Sequence, residues 1–333
     1  MTFEVEVRGR RVLVLGADAH SLATVTGLLA AGAQVTVRGE RVSTALVDLA
    51  DRGLITVDPE AALDGWDLVV DPAVPDPADP TPGRPTGEVI LVGGGPGDPG
   101  LITVAGLDAV RRADVLVVDR LAPLPVLDQA RPGAEIIDVG KIPRGKFTSQ
   151  ERINQLLVQH ARAGRLVVRL KGGDSFVFGR GGEEWAACAA AGVPVRVVPG
   201  VSSAIAAPAL AGIPVTHRTM SLGFTVVTGH LPPDRSDLDW AALAASRTTL
   251  VILMGVATLG AISAELLAHL PASTPAAVLA DAGLPSARTV VADLARIAAA
   301  AAEAGIQSPA VVVIGAVAGF PAAVAAASDA SES

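Results

Sequence analysis

The chain has no tyrosine, one cysteine, one asparagine and three lysines among its 333 residues. Each scarcity removes a class of protein. Aromatic residues make up 3% and the formal net charge is −8, so a surface built on base stacking is not expected and the charge argues against a nucleic-acid partner. A single cysteine, Cys188, excludes an internal disulfide and any cysteine-cluster metal site, and it fits a reducing, cytoplasmic setting. The five histidines show no metal-ligand spacing, so no metal is expected. Residues 1–6 have neither the basic start nor the apolar core of a secretory leader. The uncharged runs 197–216 and 308–328 are broken by Pro199, Pro208, Pro214 and Pro321, and no membrane span is expected.

What is present describes a globular α/β chain. Half the residues are apolar and 18% are charged, which excludes a disordered protein. The length suits two or three domains. The three lysines, Lys141, Lys146 and Lys171, stand against 26 basic residues in all and fall within one short stretch. In such an arginine-rich background, a retained lysine reads as more than an interchangeable surface cation.

Residues 11–16 read as a buried strand running into a turn. A helix over 21–31, a strand over 34–37, a helix over 44–52 and a strand over 67–70 complete a Rossmann-like βαβ domain, 1–72. Six prolines then fall in the 17 residues 71–87, a density no core element tolerates, so 73–87 is expected as an extended linker. The alternation restarts with strands expected at 88–92, 115–119, 135–139, 166–170 and 195–198 and helices at 103–113, 149–163 and 183–191. A second set follows: strands at 224–228, 249–254, 277–280 and 310–314, and helices at 257–269 and 291–305. This rhythm predicts parallel or mixed sheets covered by helices, in two lobes, 88–219 and 220–320, with a flexible tail over 321–333.

Three glycine-bearing turns follow strands. Gly16-Ala17-Asp18-Ala19-His20-Ser21 stands where Gly-x-Gly-x-x-Gly would hold a dinucleotide, but Asp18 and Ser21 replace the second and third glycines, and no NAD is expected to bind. Gly93-Gly94-Gly95-Pro96-Gly97-Asp98-Pro99-Gly100 loses N–H donors at Pro96 and Pro99, so it suits a pocket wall better than a phosphate cradle. Lys171-Gly172-Gly173-Asp174-Ser175-Phe176-Val177-Phe178-Gly179-Arg180-Gly181-Gly182-Glu183-Glu184 lets a ligand approach the backbone closely, offers the Asp174 carboxylate to hydroxyl or ammonium groups, and ends where Glu183 and Glu184 favour a helix start. Asp119-Arg120 and Gly140-Lys141 close two further strands, where open α/β sheets bind ligands. Their spacing allows an acid–base pair, and equally a turn cap at Asp119 with a surface cation at Lys141. His217 and His230 at chain turns read as structural.

These residues resemble the S-adenosylmethionine-dependent tetrapyrrole methylases, and within them the uroporphyrinogen-III C-methyltransferases also found in the C-terminal part of siroheme synthase. The resemblance runs over 88–315 and rests on the Val92–Thr103 run, Asp119-Arg120-Leu121, Val139-Gly140-Lys141, the 168–184 loop, Val198-Pro199-Gly200-Val201-Ser202-Ser203-Ala204, Gly212-Ile213-Pro214-Val215-Thr216-His217-Arg218, Val227-Thr228-Gly229-His230 and Met254-Gly255. It implies a two-lobed class III methyltransferase fold, a homodimer, and transfer of two methyl groups to C2 and C7 of uroporphyrinogen III, giving precorrin-2 and S-adenosylhomocysteine on the way to siroheme or cobalamin. It implies Asp119 as proton acceptor and Lys141 as proton donor. It also implies Pro96, Gly172, Gly173, Asp174, Val177, Ser202, Ser203, Met254, Gly283 and Ala310 around the cofactor. Arg120, Arg180 and Arg218 are candidates for the substrate carboxylates. Ser175 and Val118 depart from the family's usual Pro and Tyr, and Asp281-Ala282-Gly283 from its Glu-Asn-Gly. Residues 8–71 resemble a shortened precorrin-2 dehydrogenase/ferrochelatase module that lacks its glycines and catalytic segment. Three alternatives stand beside this reading: a bifunctional siroheme synthase using NAD, a methylase of a later corrinoid precursor, and a non-catalytic binder of S-adenosylmethionine.

Overall fold

The computed structural model describes residues 6–17, 21–39, 42–70, 87–140 and 148–331. The chain divides into two compact units between Pro82 and Gly83.

The N-terminal unit holds strands β1 (Arg11–Leu15), β2 (Gln34–Arg38), β3 (Ile55–Val57) and β4 (Leu68–Val70) with helices α1 (Ser21–Ala30) and α2 (Thr44–Asp51). The sheet order is β3-β2-β1-β4, all parallel. Val12, Leu13, Val14, Val35, Val37, Val25 and Leu46 are buried and form its core. The three-residue β3 is too short to show an alternation, and sequence reading passes over it.

The second unit carries two sheets. The first contains β5 (Glu88–Gly93), β6 (Val115–Val118), β7 (Glu135–Asp138), β8 (Leu166–Lys171) and β9 (Val195–Val198), in the order β7-β6-β8-β5-β9 and wholly parallel. Helices α3 (Val104–Arg112), α4 (Gln150–Arg162) and α5 (Gly181–Ala190) lie between successive strands in the chain. Apolar side chains of β5, β6 and β8 enter two separate buried clusters, one with α3 residues and one with α4 and α5 residues, which is why these strands read as continuous apolar runs. Thr103 and Ser149 cap α3 and α4 by accepting from Gly106 N and Arg152 N.

The second sheet contains β10 (Phe224–Thr228), β11 (Thr249–Leu253), β12 (Pro275–Ala280), β13 (Arg288–Asp293) and β14 (Ala310–Ile314), in the order β10-β11-β14-β12-β13. Only β10 and β11 pair in parallel; the other pairs are antiparallel. Helices α6 (Ser203–Leu210), α7 (Trp240–Ala245), α8 (Leu259–Leu267), α9 (Ile297–Glu303) and α10 (Phe320–Ser331) complete it. Ala204 and Ala207 of α6 pack in one cluster with Val251, Leu279 and Val313, so the helix that leaves the first sheet is seated in the core of the second.

Several expectations are corrected. Residues 291–305 are not one helix: β-branched Thr289, Val290 and Val291 pair with β12 as a strand, and the helix begins at Ile297. The run 197–216, read only as proline-broken, holds α6 with Pro208 inside it. Helix α7, started by Asp239 accepting from Ala242 N, was not anticipated. Within the expected tail 321–333, residues through Ser331 are helical, as the alanine content favours. The expected linker falls largely outside the described residues. No helix among the described residues is long and apolar enough to cross a membrane.

Candidate active site

Three loops leaving the carboxyl ends of β5, β8 and β9 are fused through glycine. Gly95 and Gly173 exchange both backbone hydrogen bonds, at 3.1 and 2.6 Å, and Gly94 N donates to Lys171 O at 2.7 Å. A Cβ on Gly200 would lie 2.4 Å from the Gly173 carbonyl oxygen and 2.5 Å from the Gly93 carbonyl carbon. Gly173 itself stands at φ +63°, a conformation glycine adopts without strain. Its missing Cβ would lie 3.4 Å from Ser203 Oγ and 3.5 Å from Ser203 N, so hydroxyl and amide donors border the nest. Ser202 caps α6, its Oγ accepting from Ala204 N. Asp174 ties the nest together: Oδ2 accepts from Gly200 N (2.9 Å) and Oδ1 from Phe176 N (2.8 Å). Each oxygen keeps a second lone-pair direction for a ligand. Val177 lies exposed further along this loop.

The second sheet contributes the facing rim. A Cβ on Gly283 would meet Asp98 N at 3.1 Å and Pro96 Cγ at 3.4 Å, which brings the turn after β12 onto the β5 loop. Met254 follows β11, and the pairs Leu253↔Val311 and Ala280↔Ala310 place it beside the start of β14 and the end of β12. Met254 and Asp281 hold positive φ, 58° and 53°, without being glycine. Such backbone costs of order 1–3 kcal/mol per residue and concentrates at functional sites. The structure therefore brings Pro96, Gly172, Gly173, Asp174, Ser202 and Ser203 to one edge, and Met254, Gly283 and Ala310 to the edge that meets it. Backbone cradle, serine hydroxyls and a carboxylate suit an adenosyl amino acid, with its ribose hydroxyls and ammonium.

Asp119 stands at the end of β6, beside this nest. A Cβ on Gly172 would lie 2.4 Å from Leu121 O, so the cofactor loop and the Asp119 turn touch. Asp119 does both things its position allowed. Oδ1 caps its own turn by accepting from Leu121 N (3.0 Å), while Oδ2 lies 3.6 Å from Arg169 Nη2 and the side chain is 28% exposed. Behind it sits a buried charge cluster that sequence reading missed. Arg169, Lys171 and Glu184 are 2%, 3% and 0% exposed. Glu184 accepts from Arg169 Nε at 3.0 Å and from Lys171 Nζ at 3.1 and 3.2 Å. Burial pushes the Lys171 pKa below the ordinary lysine value, and Arg169 acts in the same direction, while Glu184 opposes both. The signal was present: Arg169 and Lys171 alternate on one face of a buried strand, which demands a buried anion. Glu184 had been read only as helix-dipole compensation.

Of the substrate-arginine candidates, Arg120 and Arg218 are exposed and form no ion pair among the described residues. Arg180 starts α5 but is engaged in a bidentate pair with Glu183 (2.8 and 2.6 Å). Lys141, expected as proton donor, lies outside the described residues. Cys188 is buried and its thiol is pushed up to about 11, chiefly by burial, so it offers no nucleophile.

In the N-terminal unit the turns after β1 and β2 pack directly on one another. A Cβ on Gly39 would lie 2.7 Å from Ala17 Cβ, and Ser43 N donates to Ala17 O. The buried Ser21 side chain stands 3.2 Å from where a Gly16 Cβ would be, at the fingerprint's third glycine position. Serine there fills space that the fingerprint's third glycine leaves for close helix–strand packing.

Residues 88–298 match the family model described as Tetrapyrrole (Corrin/Porphyrin) Methylases, and residues 3–78 match one described as "Putative NAD(P)-binding". Siroheme synthase 1 of Klebsiella pneumoniae subsp. pneumoniae is 48% identical over 231 residues, covering 69% of this chain and 49% of that protein. The chain thus spans about half the length of such relatives. The crystal structure of uroporphyrin-III-C-methyltransferase from Thermus thermophilus is 39% identical, with a TM-score of 0.60, and covers 71% of this chain and 97% of that one. A complex of the Thermus thermophilus uroporphyrin-III C-methyl transferase with S-adenosylhomocysteine is 42% identical, with a TM-score of 0.59, covering 69% of this chain and 98% of that one. On the match over 88–298 and the two-sheet architecture that carries it, the chain belongs to the tetrapyrrole methylase family.

Proposed function

We propose that this chain is a cytoplasmic uroporphyrinogen-III C-methyltransferase, placing methyl groups at C2 and C7 of the substrate to give precorrin-2. The observation that carries the reading is the partly exposed Asp119 carboxylate beside the glycine nest, where a base and a methyl donor are needed together. When bound, S-adenosylmethionine supplies an electrophilic sulfonium methyl and leaves as S-adenosylhomocysteine. The chain's own task is alignment: Gly173, Asp174, Ser203 and Met254 hold the donor while Arg120 and Arg218 hold the acceptor, and positioning of this kind supplies about 7–11 kcal/mol of barrier lowering. Asp119 accepts the proton released at the ring, and Lys141, by its place in Val139-Gly140-Lys141, returns one.

The substrate carries eight carboxylates and the protein is acidic overall, so attraction is local. Arg120 and Arg218, which form no ion pair among the described residues, are the cations offered for it, each contact contributing about 1.5–3 kcal/mol. Arg180 acts there only by leaving Glu183. The chain works as a homodimer. Phe176, Phe178 and Trp185 are exposed together, with the Phe176 and Trp185 rings 6.0 Å apart, an apolar patch that suits a second copy.

Asp119→Asn tests the reading. Turnover should fall by two to four orders of magnitude, the range of general base catalysis, with S-adenosylmethionine affinity within about twofold of wild type. Wild-type turnover in that variant would remove Asp119 from the reaction.

A further inference from the structure

The Arg169–Asp119 contact is long for a pair with one partner fully buried. At 3.6 Å it exceeds the 2.7–2.9 Å usual for a charge-assisted hydrogen bond. The reason lies on the other side of the guanidinium. Arg169 Nε is bonded to Glu184 Oε1 at 3.0 Å, and Nη1 donates to Val117 O (3.2 Å) and Leu170 O (3.3 Å). Glu184 is in turn held by both contacts from Lys171 Nζ and by Gln150 Nε2 at 3.3 Å. Arg169 is therefore anchored away from the cleft.

We propose that Glu184, steadied by Lys171, is a positioning residue for methyl transfer: it holds Arg169 short of full contact with Asp119, so that the Asp119 carboxylate stays oriented yet available to take a proton. The inference rests on Asp119 being the proton acceptor. A guanidinium free to clamp Asp119 bidentately would occupy the oxygen that must receive the proton and stabilise the ionised form. The present arrangement gives half of that interaction, orientation without capture.

The other charged and titratable groups around Asp119 are few among the described residues. Arg120 beside it in sequence is exposed. On neighbouring β7, Asp138 has Oδ1 occupied by Gly140 N at 2.8 Å. Asp174 is bonded to Gly200 N and Phe176 N. Helix α4 presents the neutral Gln150, and α5 presents Glu184.

The test is the pH dependence of kcat and of KM for S-adenosylmethionine in the full chain. Glu184→Gln leaves Arg169 and Lys171 uncompensated: the acidic limb should move down by about one pH unit, the effect of removing one nearby charge at moderate dielectric. Plateau kcat should fall roughly three- to tenfold with KM within about twofold. Lys171→Met removes a cation, and its limb should move up. The double variant Glu184→Gln/Lys171→Met, in which one charge of each sign is removed, should return towards the wild-type limb, and it keeps the test open where Glu184→Gln alone does not fold. Opposite shifts that cancel report charge felt at Asp119, and the loss of plateau kcat at near-constant KM reports its positioning. An unmoved limb in Lys171→Met and in whichever Glu184→Gln variants fold, with Asp119→Asn still inactive, overturns the proposal and leaves the Asp119 reading standing. An Asp119→Asn enzyme that turns over with its acidic limb in place overturns both.

Discussion

Replacing Gly200 by alanine inserts one methyl group where three loops meet. That carbon would stand 2.4 Å from the Gly173 carbonyl oxygen and 2.5 Å from both the carbonyl carbon and oxygen of Gly93. All three neighbours are backbone, so no side chain can swing aside. Relief requires a main-chain shift of about 1 Å in a central strand end or in the cofactor loop, because ordinary contact begins near 3.4 Å. Overpacking of this kind costs about 1–3 kcal/mol. The same shift strains the Gly200 N–H to Asp174 bond (2.9 Å) and the Gly95–Gly173 pair. Calorimetric titration with S-adenosylmethionine should show affinity at least tenfold weaker, since 1.4 kcal/mol is a factor of ten. The melting temperature should fall by roughly 2–12 °C for a unit of this size. Gly182→Ala is the control: in the first turn of α5 its Cβ meets nothing within 4 Å, and affinity should be unchanged with stability equal or slightly raised. A Gly200→Ala protein that binds and melts like wild type would refute the packing on which the nest depends.

Asp174→Ala should lower S-adenosylmethionine affinity about tenfold, because Gly200 N and Phe176 N each lose their acceptor at about 1–3 kcal/mol for an unsatisfied group; unchanged affinity in the same titration would contradict the loop assignment. Fluorescence titration with NAD should show no binding tighter than millimolar, because Asp18 and Ser21 replace the fingerprint's second and third glycines; micromolar binding would revive a dehydrogenase role for the N-terminal unit.

The parts legible from sequence were those governed by local rules. Buried parallel strands such as β5 and β8 announce themselves as apolar runs, and the strand–glycine–helix punctuation marked the loops after them, while the Gly200 loop after β9 came only with the family resemblance. What escaped depended on tertiary context. The end of β13, Val291 to Asp293, was read into a helix because Ala292 to Ala304 is rich in good helix formers; its pairing with β12 overrides that propensity. Helix α6 was masked by Pro208, which a packed alanine helix accommodates in the second sheet's core. The Arg169–Glu184–Lys171 cluster joins residues up to 15 apart in sequence across a strand and a helix, and charge in a buried strand carries no partner's address. Asp174 carries a second role that its type did not announce: beside any ligand contact, it binds two backbone amides of the loops that form the nest.

Methyl transfer to a tetrapyrrole is read out by anaerobic incubation of the purified protein with uroporphyrinogen III and S-adenosylmethionine, followed by mass analysis of the product. The product should be heavier by two methyl groups, with two equivalents of S-adenosylhomocysteine released. An unmethylated substrate recovered from a protein that still binds S-adenosylmethionine would contradict that reading.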